Sequence, residues 1–180
     1  MAIEPIPTIV TERLTLTPLT VDDADAMVAV YADPRMHEFT GGAPPSARQL
    51  RERFGALAGG WNEDRSQQWC NWIVRVAGSP EPVGAVQATI ADDLTWAAVA
   101  WEIRVSHQGR GLATEAASAL VDWLFASGVA RITANIHPEH SASVRVATRA
   151  GLTATDEADD GEIVWHRHRS DARADDAELP

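Results

Sequence analysis

Hydrophobic and polar positions alternate along several short stretches of the chain. The alternation over 13–19 predicts a half-buried strand, and Pro18 ends it because proline cannot donate to a strand ladder. Three strand candidates follow one another in the middle of the chain, separated by short turn signals. Consecutive strands on short turns predict an antiparallel meander. The three candidates are 68–77, 83–90 and 97–105.

Helical spacing of apolar residues appears in four segments, two before the meander and two after it. Thr20 and Ser46 have the side chains of N-cap residues, and an apolar face follows each of them. The third segment carries the clearest stripe, which starts at Leu112 and stops near Gly128. The four predicted helices lie within 20–33, 46–59, 112–128 and 141–150.

The last part of the chain predicts a crossover followed by a hairpin. The connection from the third meander strand through the helix to 131–136 is long enough for a right-handed crossover to a parallel neighbour. Segments 152–155 and 162–166 then form a hairpin. The element order β-α-α-β-β-β-α-β-α-β-β predicts a mixed α/β (α+β) fold with a mostly antiparallel central sheet of about seven strands and about four helices. One domain is expected over 9–168, with a charged, disordered tail over 169–180.

Composition places the chain among soluble single-domain proteins. With 180 residues and 45% hydrophobic content it can bury a substantial core. No apolar run approaches the ~20 residues that span a bilayer, and the N-terminus lacks the basic and apolar regions of a signal peptide. The single cysteine, Cys70, excludes an internal disulfide framework. We therefore expect a cytoplasmic protein without a membrane partner.

Charge excludes several kinds of chemistry. The net charge is −11, and all 15 basic residues are arginine. Without lysine the chain cannot provide a Walker P-loop, a kinase strand lysine or a Schiff base. The acidic balance argues against nucleic acid as a partner and favours cationic or amine-bearing molecules.

Two histidine-rich segments are candidate metal sites. The segments 137–140 and 166–168 contain two histidines each. Neither has cysteine partners or the His-Glu-x-x-His spacing that places two imidazoles on one helix face. We therefore expect no metal.

The most informative motif is a glycine turn that begins where the strand pattern gives way to the helix at Leu112. Gly109 and Gly111 permit backbone conformations and close approaches that a Cβ would block, so that successive N–H groups can converge. The following helix adds its positive end to the same place. The turn therefore predicts a phosphate or pyrophosphate site.

The glycine turn, in its position between a strand and a helix, resembles a motif of a known protein family. Gln108, Gly111 and Ala113 match the pattern Gln/Arg-x-x-Gly-x-Gly/Ala, and the last helix followed by Gly151-Leu152 is similar to a family segment that ends in Gly-Phe. Over 9–168 the chain resembles the GNAT superfamily of N-acetyltransferases. Within it, the chain resembles the RimJ/RimL-like branch, which acetylates ribosomal-protein N-termini and small amines.

The resemblance implies acetyl-CoA as cosubstrate and an amine as acceptor. It places the end of the third meander strand against the pantetheine arm and the glycine turn against the pyrophosphate. His140 stands where the family usually has asparagine, so a contact to the pantetheine would need one tautomer of the imidazole. The cofactor-binding residues so implied are Ile103, Arg104, Val105, Gln108, Gly109, Arg110, Gly111, Leu112, Ala113, Thr114, His140 and Ser143.

Glu102 and Ser143 are the candidate catalytic residues. A protonated amine is not a nucleophile, and Glu102, in an apolar strand, resembles the family's glutamate that accepts the proton. Alternatively, Glu102 is only a strand neighbour of Arg104. Many relatives carry a tyrosine as proton donor at the position of Ala147. Ser143 stands where the ribosomal-protein branch often has a serine that can donate to the CoA sulfur, unless it only caps its helix.

The acceptor stays open at this level. The region 35–68 and one or two of Trp61, Trp69 and Trp72 are expected to line its site. Composition and residue spacing do not distinguish among ribosomal N-termini, polyamines and aminoglycosides as acceptors. The alternative of a noncatalytic acyl-CoA-binding or regulatory module on the same fold also stays open. Relatives are often homodimers, but the residues themselves leave the oligomeric state undecided.

Overall fold

The structure is a computed structural model that describes residues 3–171. All eight of its strands belong to one sheet. They are β1 (Ile9–Val10), β2 (Leu14–Pro18), β3 (Gln67–Val76), β4 (Pro82–Ala91), β5 (Ala97–Ile103), β6 (Arg131–Ile136), β7 (Thr153–Asp159) and β8 (Glu162–His168). Their order across the sheet is β1-β2-β3-β4-β5-β6-β8-β7, and only β5 and β6 run parallel.

Four α-helices cover the two faces of this sheet. They are α1 (Ala24–Tyr31), α2 (Ala47–Ala58), α3 (Leu112–Ala126) and α4 (Ser141–Arg149). The first two bury Met27, Leu50 and Phe54 against Ile73 in one core. The other two contribute to the larger core, where Leu120 is fully buried. The predicted mixed fold and all four helices are confirmed.

The sheet has one strand more than the predicted count of about seven. The additional strand, β1, has two residues and pairs Ile9 with Leu16 and Val10 with Thr15. A strand of two residues is too short to show alternation, so the sequence pattern carries no signal for it. Most of the predicted tail over 169–180 lies outside the described residues.

The third meander strand is shorter than its sequence pattern predicts. β5 ends at Ile103, and Val105 already belongs to a 3₁₀ turn over Val105–His107. The main-chain N–H of Arg104 donates to the carbonyl of Val83 at 2.8 Å, and the N–H of His107 donates back to the Arg104 carbonyl at 2.8 Å. These two hydrogen bonds turn the chain away from the sheet toward α3.

The parallel pair β5 and β6 separates soon after it begins. Ala97 pairs with Ile132 and Ala98 with Thr133, and no further pair joins the two strands within the described part of the chain. β6 pairs with β8 along its whole length instead. The edge of β5 from Val99 to Ile103 that faces β6 therefore has no strand beside it.

No helix in the described residues 3–171 combines the length and the apolar content that a membrane crossing needs.

Gly84 lets β4 approach the end of β5, and replacing it with alanine is expected to destabilise the protein. The added Cβ would collide with the main-chain oxygen of Glu102 and would lie 2.7 Å from Cδ1 of Ile103. Overpacking of this kind costs about 1–3 kcal/mol. Urea denaturation measures the change. Gly55→Ala is the control, because Gly55 lies inside α2 with open space around its Cβ and should gain up to about 1 kcal/mol. Equal unfolding midpoints for the two variants would contradict the packing argument.

Candidate active site

The glycine turn forms the bend between β5 and α3 that the sequence predicts. Gly109 has φ +73° and Gly111 has φ +78°, in the left-handed region that favours glycine. Gly111 is also the N-cap of α3, whose 15 residues make it the longest helix of the described chain. The turn thus delivers the positive end of a long helix to the point where β5 ends.

The N–H groups of this turn are available to a ligand. The six successive N–H groups of residues 109–114 donate to no acceptor within residues 3–171. Helix termini leave such donors unpaired, and the two left-handed glycines extend the run into the turn. The residues present therefore fit the pyrophosphate of the cosubstrate expected from the sequence.

The side chain of Gln108 supports the turn from inside. Its Nε2 donates to the carbonyl of Ile103 at 2.8 Å and contacts the sulfur of Met36 at 3.7 Å. The amide thus ties the first residue of the turn to the last residue of β5. The structure gives this predicted cofactor-binding residue a role in shaping the turn.

Arg13 and Glu115 hold the outer side of the turn. The Arg13 guanidinium lies 2.6 Å from a carboxylate oxygen of Glu115 and donates to the carbonyl of Arg110 at 3.0 Å. Glu115 also accepts from the hydroxyl of Thr11 at 2.6 Å and from the main-chain N–H of Arg13 at 2.8 Å. Burial alone would raise the pKa of Glu115, but the hydrogen bonds from Thr11 and Arg13 outweigh burial and hold the pKa below its ordinary value.

Glu115→Gln is expected to destabilise the protein at neutral pH by about 1–2 kcal/mol, because charged hydrogen bonds contribute more than neutral ones. The folded-state pKa of Glu115 is lowered, so its contribution is present above the unfolded value of about 4.5 and fades as pH falls through the folded value. Denaturation of both proteins as a function of pH measures this. A difference that persists unchanged in acid would contradict the ionic contribution.

Glu102 lies in a cleft that α1, α2 and the sheet enclose. The cleft has a volume of about 440 Å³. Its apolar lining includes Leu19, Phe54, Leu57 and Trp101. Glu102 accepts a hydrogen bond of 2.7 Å from the hydroxyl of Tyr31.

Tyr31 is a site residue that the sequence did not identify. It is the last residue of α1, is 3% exposed and meets Glu102 across 71 positions of sequence. Burial, and then the charge of Glu102 and the hydrogen bond to it, raise the pKa of Tyr31 far above its ordinary value. The phenol therefore stays protonated and keeps donating to the carboxylate. A buried tyrosine usually needs such a partner, but nothing in the sequence says which residue provides it.

His140 and Ser143 lie at the start of α4, outside the lining of this cleft. The ring of His140 stacks on Phe39 with centroids 4.3 Å apart. Burial lowers the pKa of His140, so the imidazole is neutral at pH 7. Ser143 is half-buried, and its hydroxyl makes no hydrogen bond within the described range. The structure thus unites Glu102 with Tyr31 and does not bring Ser143 into contact with either.

The tryptophans expected near the acceptor do not line the cleft. Trp72 is fully buried on the opposite face, where it meets Trp123 edge to face at 5.0 Å and donates to the carbonyl of Pro7. Trp61 borders a separate shallow hollow. Trp101 is the tryptophan that lines the cleft. Because side chains alternate along β3, Trp72 points away from the cleft and Asn71 points toward it.

No group of three or more histidine, cysteine, aspartate or glutamate residues in 3–171 is placed to hold a metal ion.

Comparison with known proteins gives the family. A sequence model of the acetyltransferase (GNAT) domain matches residues 13–153. The uncharacterized N-acetyltransferase p20 of Bacillus licheniformis is 26% identical in an alignment of length 145, and the match covers 77% of this chain and 78% of that protein.

Two solved structures share the fold at low identity. One is the aminoglycoside acetyltransferase AAC(6')-Ib in complex with paromomycin and acetyl-CoA, with a TM-score of 0.76, 20% identity and coverage of 93% of this chain and 100% of that one. The other is the ribosomal-protein-S5-alanine acetyltransferase from Vibrio fischeri, with a TM-score of 0.75, 18% identity and coverage of 92% and 98%. At these identities both likenesses show the shared fold alone. Because the domain match spans most of the chain and includes the glycine turn and the separating strands, the chain belongs to the GNAT acetyltransferase family.

Proposed function

We propose that the protein is an acetyl-CoA-dependent N-acetyltransferase that moves the acetyl group from the CoA thioester to a primary amine by direct attack in a ternary complex. The observation that supports this most is the free edge of β5. That edge ends at the glycine turn, and Glu102 belongs to the same strand beside the cleft. One short stretch of backbone therefore links an anion site to a carboxylate.

The donor would lie along this edge. The N–H groups of residues 109–114 fit the pyrophosphate, and the unpaired main chain of β5 fits the amides of an extended pantetheine arm. His140 and Ser143 would meet the arm from the start of α4, on the far side of the separating strands. The glycine turn, the late helix with Gly151-Leu152 and the cleft all lie within the proposed domain, 9–168.

Glu102 would act as the general base. The amine nitrogen forms a bond to the thioester carbon and passes its proton to the carboxylate, and the carbon–sulfur bond breaks to release CoA. Ser143 would donate a proton to the departing sulfur. Tyr31 is a positioning residue in this scheme, because its hydrogen bond fixes one oxygen of Glu102 and leaves the other free.

The acceptor would be a small amine or a protein N-terminus. The complex of AAC(6')-Ib with paromomycin supports the first class, and the Vibrio fischeri enzyme, which by its name acts on an alanine of ribosomal protein S5, supports the second. Both enzymes are similar to this chain in fold only.

A noncatalytic acyl-CoA-binding or regulatory module is the second candidate. Ala147 occupies the position where many relatives have a tyrosine, and the ring of His140 is stacked on Phe39. An amine screen separates the two functions. The purified protein is incubated with acetyl-CoA and each amine or N-terminal peptide, and free CoA is measured. Release that depends on the added amine is expected; tight binding of acetyl-CoA without release in any mixture would favour the second candidate.

A further inference from the structure

Asn71 is a buried polar residue whose side chain has no partner. It is 8% exposed and lines the cleft, yet its amide makes no hydrogen bond to any other residue within 3–171. In residues 3–171 every side-chain nitrogen or oxygen atom that is itself buried has a hydrogen-bond partner, so the amide atoms of Asn71 must be accessible from the cleft. An amide that faces a cleft is therefore available to a molecule bound there.

Gln87 places a second amide beside the first. Asn71 and Gln87 are register partners on β3 and β4, so their side chains project from the same face, and both line the cleft. Gln87 lies diagonally across from Glu102, whose own register partner is Ala85. Diagonal neighbours of this kind are about 7–8 Å apart. The two amides thus lie on the opposite side of the cleft floor from the carboxylate.

Arg53 adds a cation above this floor. It lines the cleft from α2, and its charge partly offsets the rise that burial and Glu102 cause in the pKa of Tyr31. On the same helix Arg48 bonds to Glu52 at 2.9 Å and Arg51 bonds to Asp25. By contrast, no carboxylate of the described chain lies within ion-pair distance of Arg53.

We propose that the acceptor carries a carboxylate as well as the reacting amine, and that Arg53, Asn71 and Gln87 bind this carboxylate while the amine faces Glu102. This inference rests on the proposed acetyltransferase function. A guanidinium and two amides supply the hydrogen-bond donors that a carboxylate needs. The distance between the two sides of the cleft favours an acceptor whose amine and carboxylate are several bonds apart, as in a short peptide.

The charge of Arg53 also selects against other acceptors. The net charge of −11 attracts cations to the protein as a whole and so acts on the rate of encounter. Inside the cleft, a second positive group on the acceptor would approach Arg53, and this repulsion discriminates against polyamines. The overall charge of the protein therefore acts on the rate of encounter, and the local charge of Arg53 acts on which acceptor binds in the cleft.

A matched pair of acceptors tests the inference. Glycylglycine and glycylglycinamide have the same reacting amine and differ in whether the far end is charged. With acetyl-CoA as donor, kcat/KM of the unaltered protein is expected to be about two- to fivefold higher for the acid, because the exposed guanidinium of Arg53 attracts the carboxylate and the neutral amide loses this attraction. Arg53→Met should bring the ratio of the two close to one, and Arg53→Lys should retain part of the preference.

Arg48→Gln is the control, because Arg48 lies on the exposed face of the same helix, outside the cleft, and the variant should keep the full preference. An equal or higher kcat/KM for the amide in the unaltered protein would overturn the inference, and so would a preference that Arg53→Met leaves intact. In either case the acetyltransferase itself still stands. Acetyl transfer to no amine at all would overturn both, and acetyl-CoA binding measured separately distinguishes this result from a misfolded preparation.

Discussion

Glu102→Gln is expected to lower kcat for acetyl transfer by about 10²–10⁴-fold, which is the range that a positioned general base contributes. The glutamine oxygen can still accept the hydrogen bond that Tyr31 donates at 2.7 Å, so the packing of the cleft should persist. What the amide loses is the ability to take a proton from the attacking amine. Steady-state release of CoA at saturating amine measures the change, and titration with acetyl-CoA should show nearly unaltered affinity.

Glu81→Gln is the matched control, since Glu81 is exposed near the start of β4 and lies outside the cleft. It should retain full activity. If Glu102→Gln turned over at an undiminished rate at every pH where the protein stays folded, Glu102 would be no more than a partner for Tyr31. The base would then have to be sought among other groups or water.

Gly111→Val is expected to weaken acetyl-CoA binding by about 10–100-fold, the equivalent of the 1–3 kcal/mol that a strained backbone position costs. The φ of +78° at Gly111 suits a residue without Cβ, and a branched side chain would favour rotation of the peptide away from this value. Rotation would move the N–H groups that converge at the start of α3. An added Cβ would lie 3.4 Å from the Arg13 guanidinium, so the surrounding structure can otherwise accommodate it.

Gly161→Val separates strain from binding. Gly161 has φ +83° in the turn between β7 and β8, with open space around its Cβ, and so carries a similar backbone cost far from the glycine turn. Both variants should lose comparable stability in thermal unfolding, but only Gly111→Val should lose affinity in calorimetric titration with acetyl-CoA. Equal affinities would show that the turn does not bind the donor.

Local signals were sufficient for most of the fold. Ser46 caps α2 as predicted, Gln49 three residues later completes a capping box, and α2 ends beside Gly59. The glycine turn was recognised equally well, because a glycine-rich turn at the start of a helix is typical of an anion-binding site. Each of these features depends on residues close together in the chain.

The missing parts of the site depend on packing between distant elements. Tyr31 reaches Glu102 because α1 packs over the sheet, and Asn71 neighbours Gln87 because of the register between β3 and β4. Neither contact has a signal in the sequence. Apolar periodicity shows which face of an element is buried, but it does not show which polar side chains from distant elements contact each other. One or two of Trp61, Trp69 and Trp72 were expected in the cleft, and side-chain alternation along β3 places Trp72 on the opposite face.

The short pairing between β5 and β6 makes stability and occupancy interdependent. Within residues 3–171, only two residue pairs join the half of the sheet that begins at β1 to the half that ends at β7. A molecule bound along the free edge of β5 would supply main-chain hydrogen bonds that a continuous sheet would otherwise make itself. By linkage, a ligand at 100 times its Kd adds about 2.7 kcal/mol to the free energy of unfolding. If acetyl-CoA binds along this edge as proposed, the free energy of unfolding would rise with the concentration of acetyl-CoA.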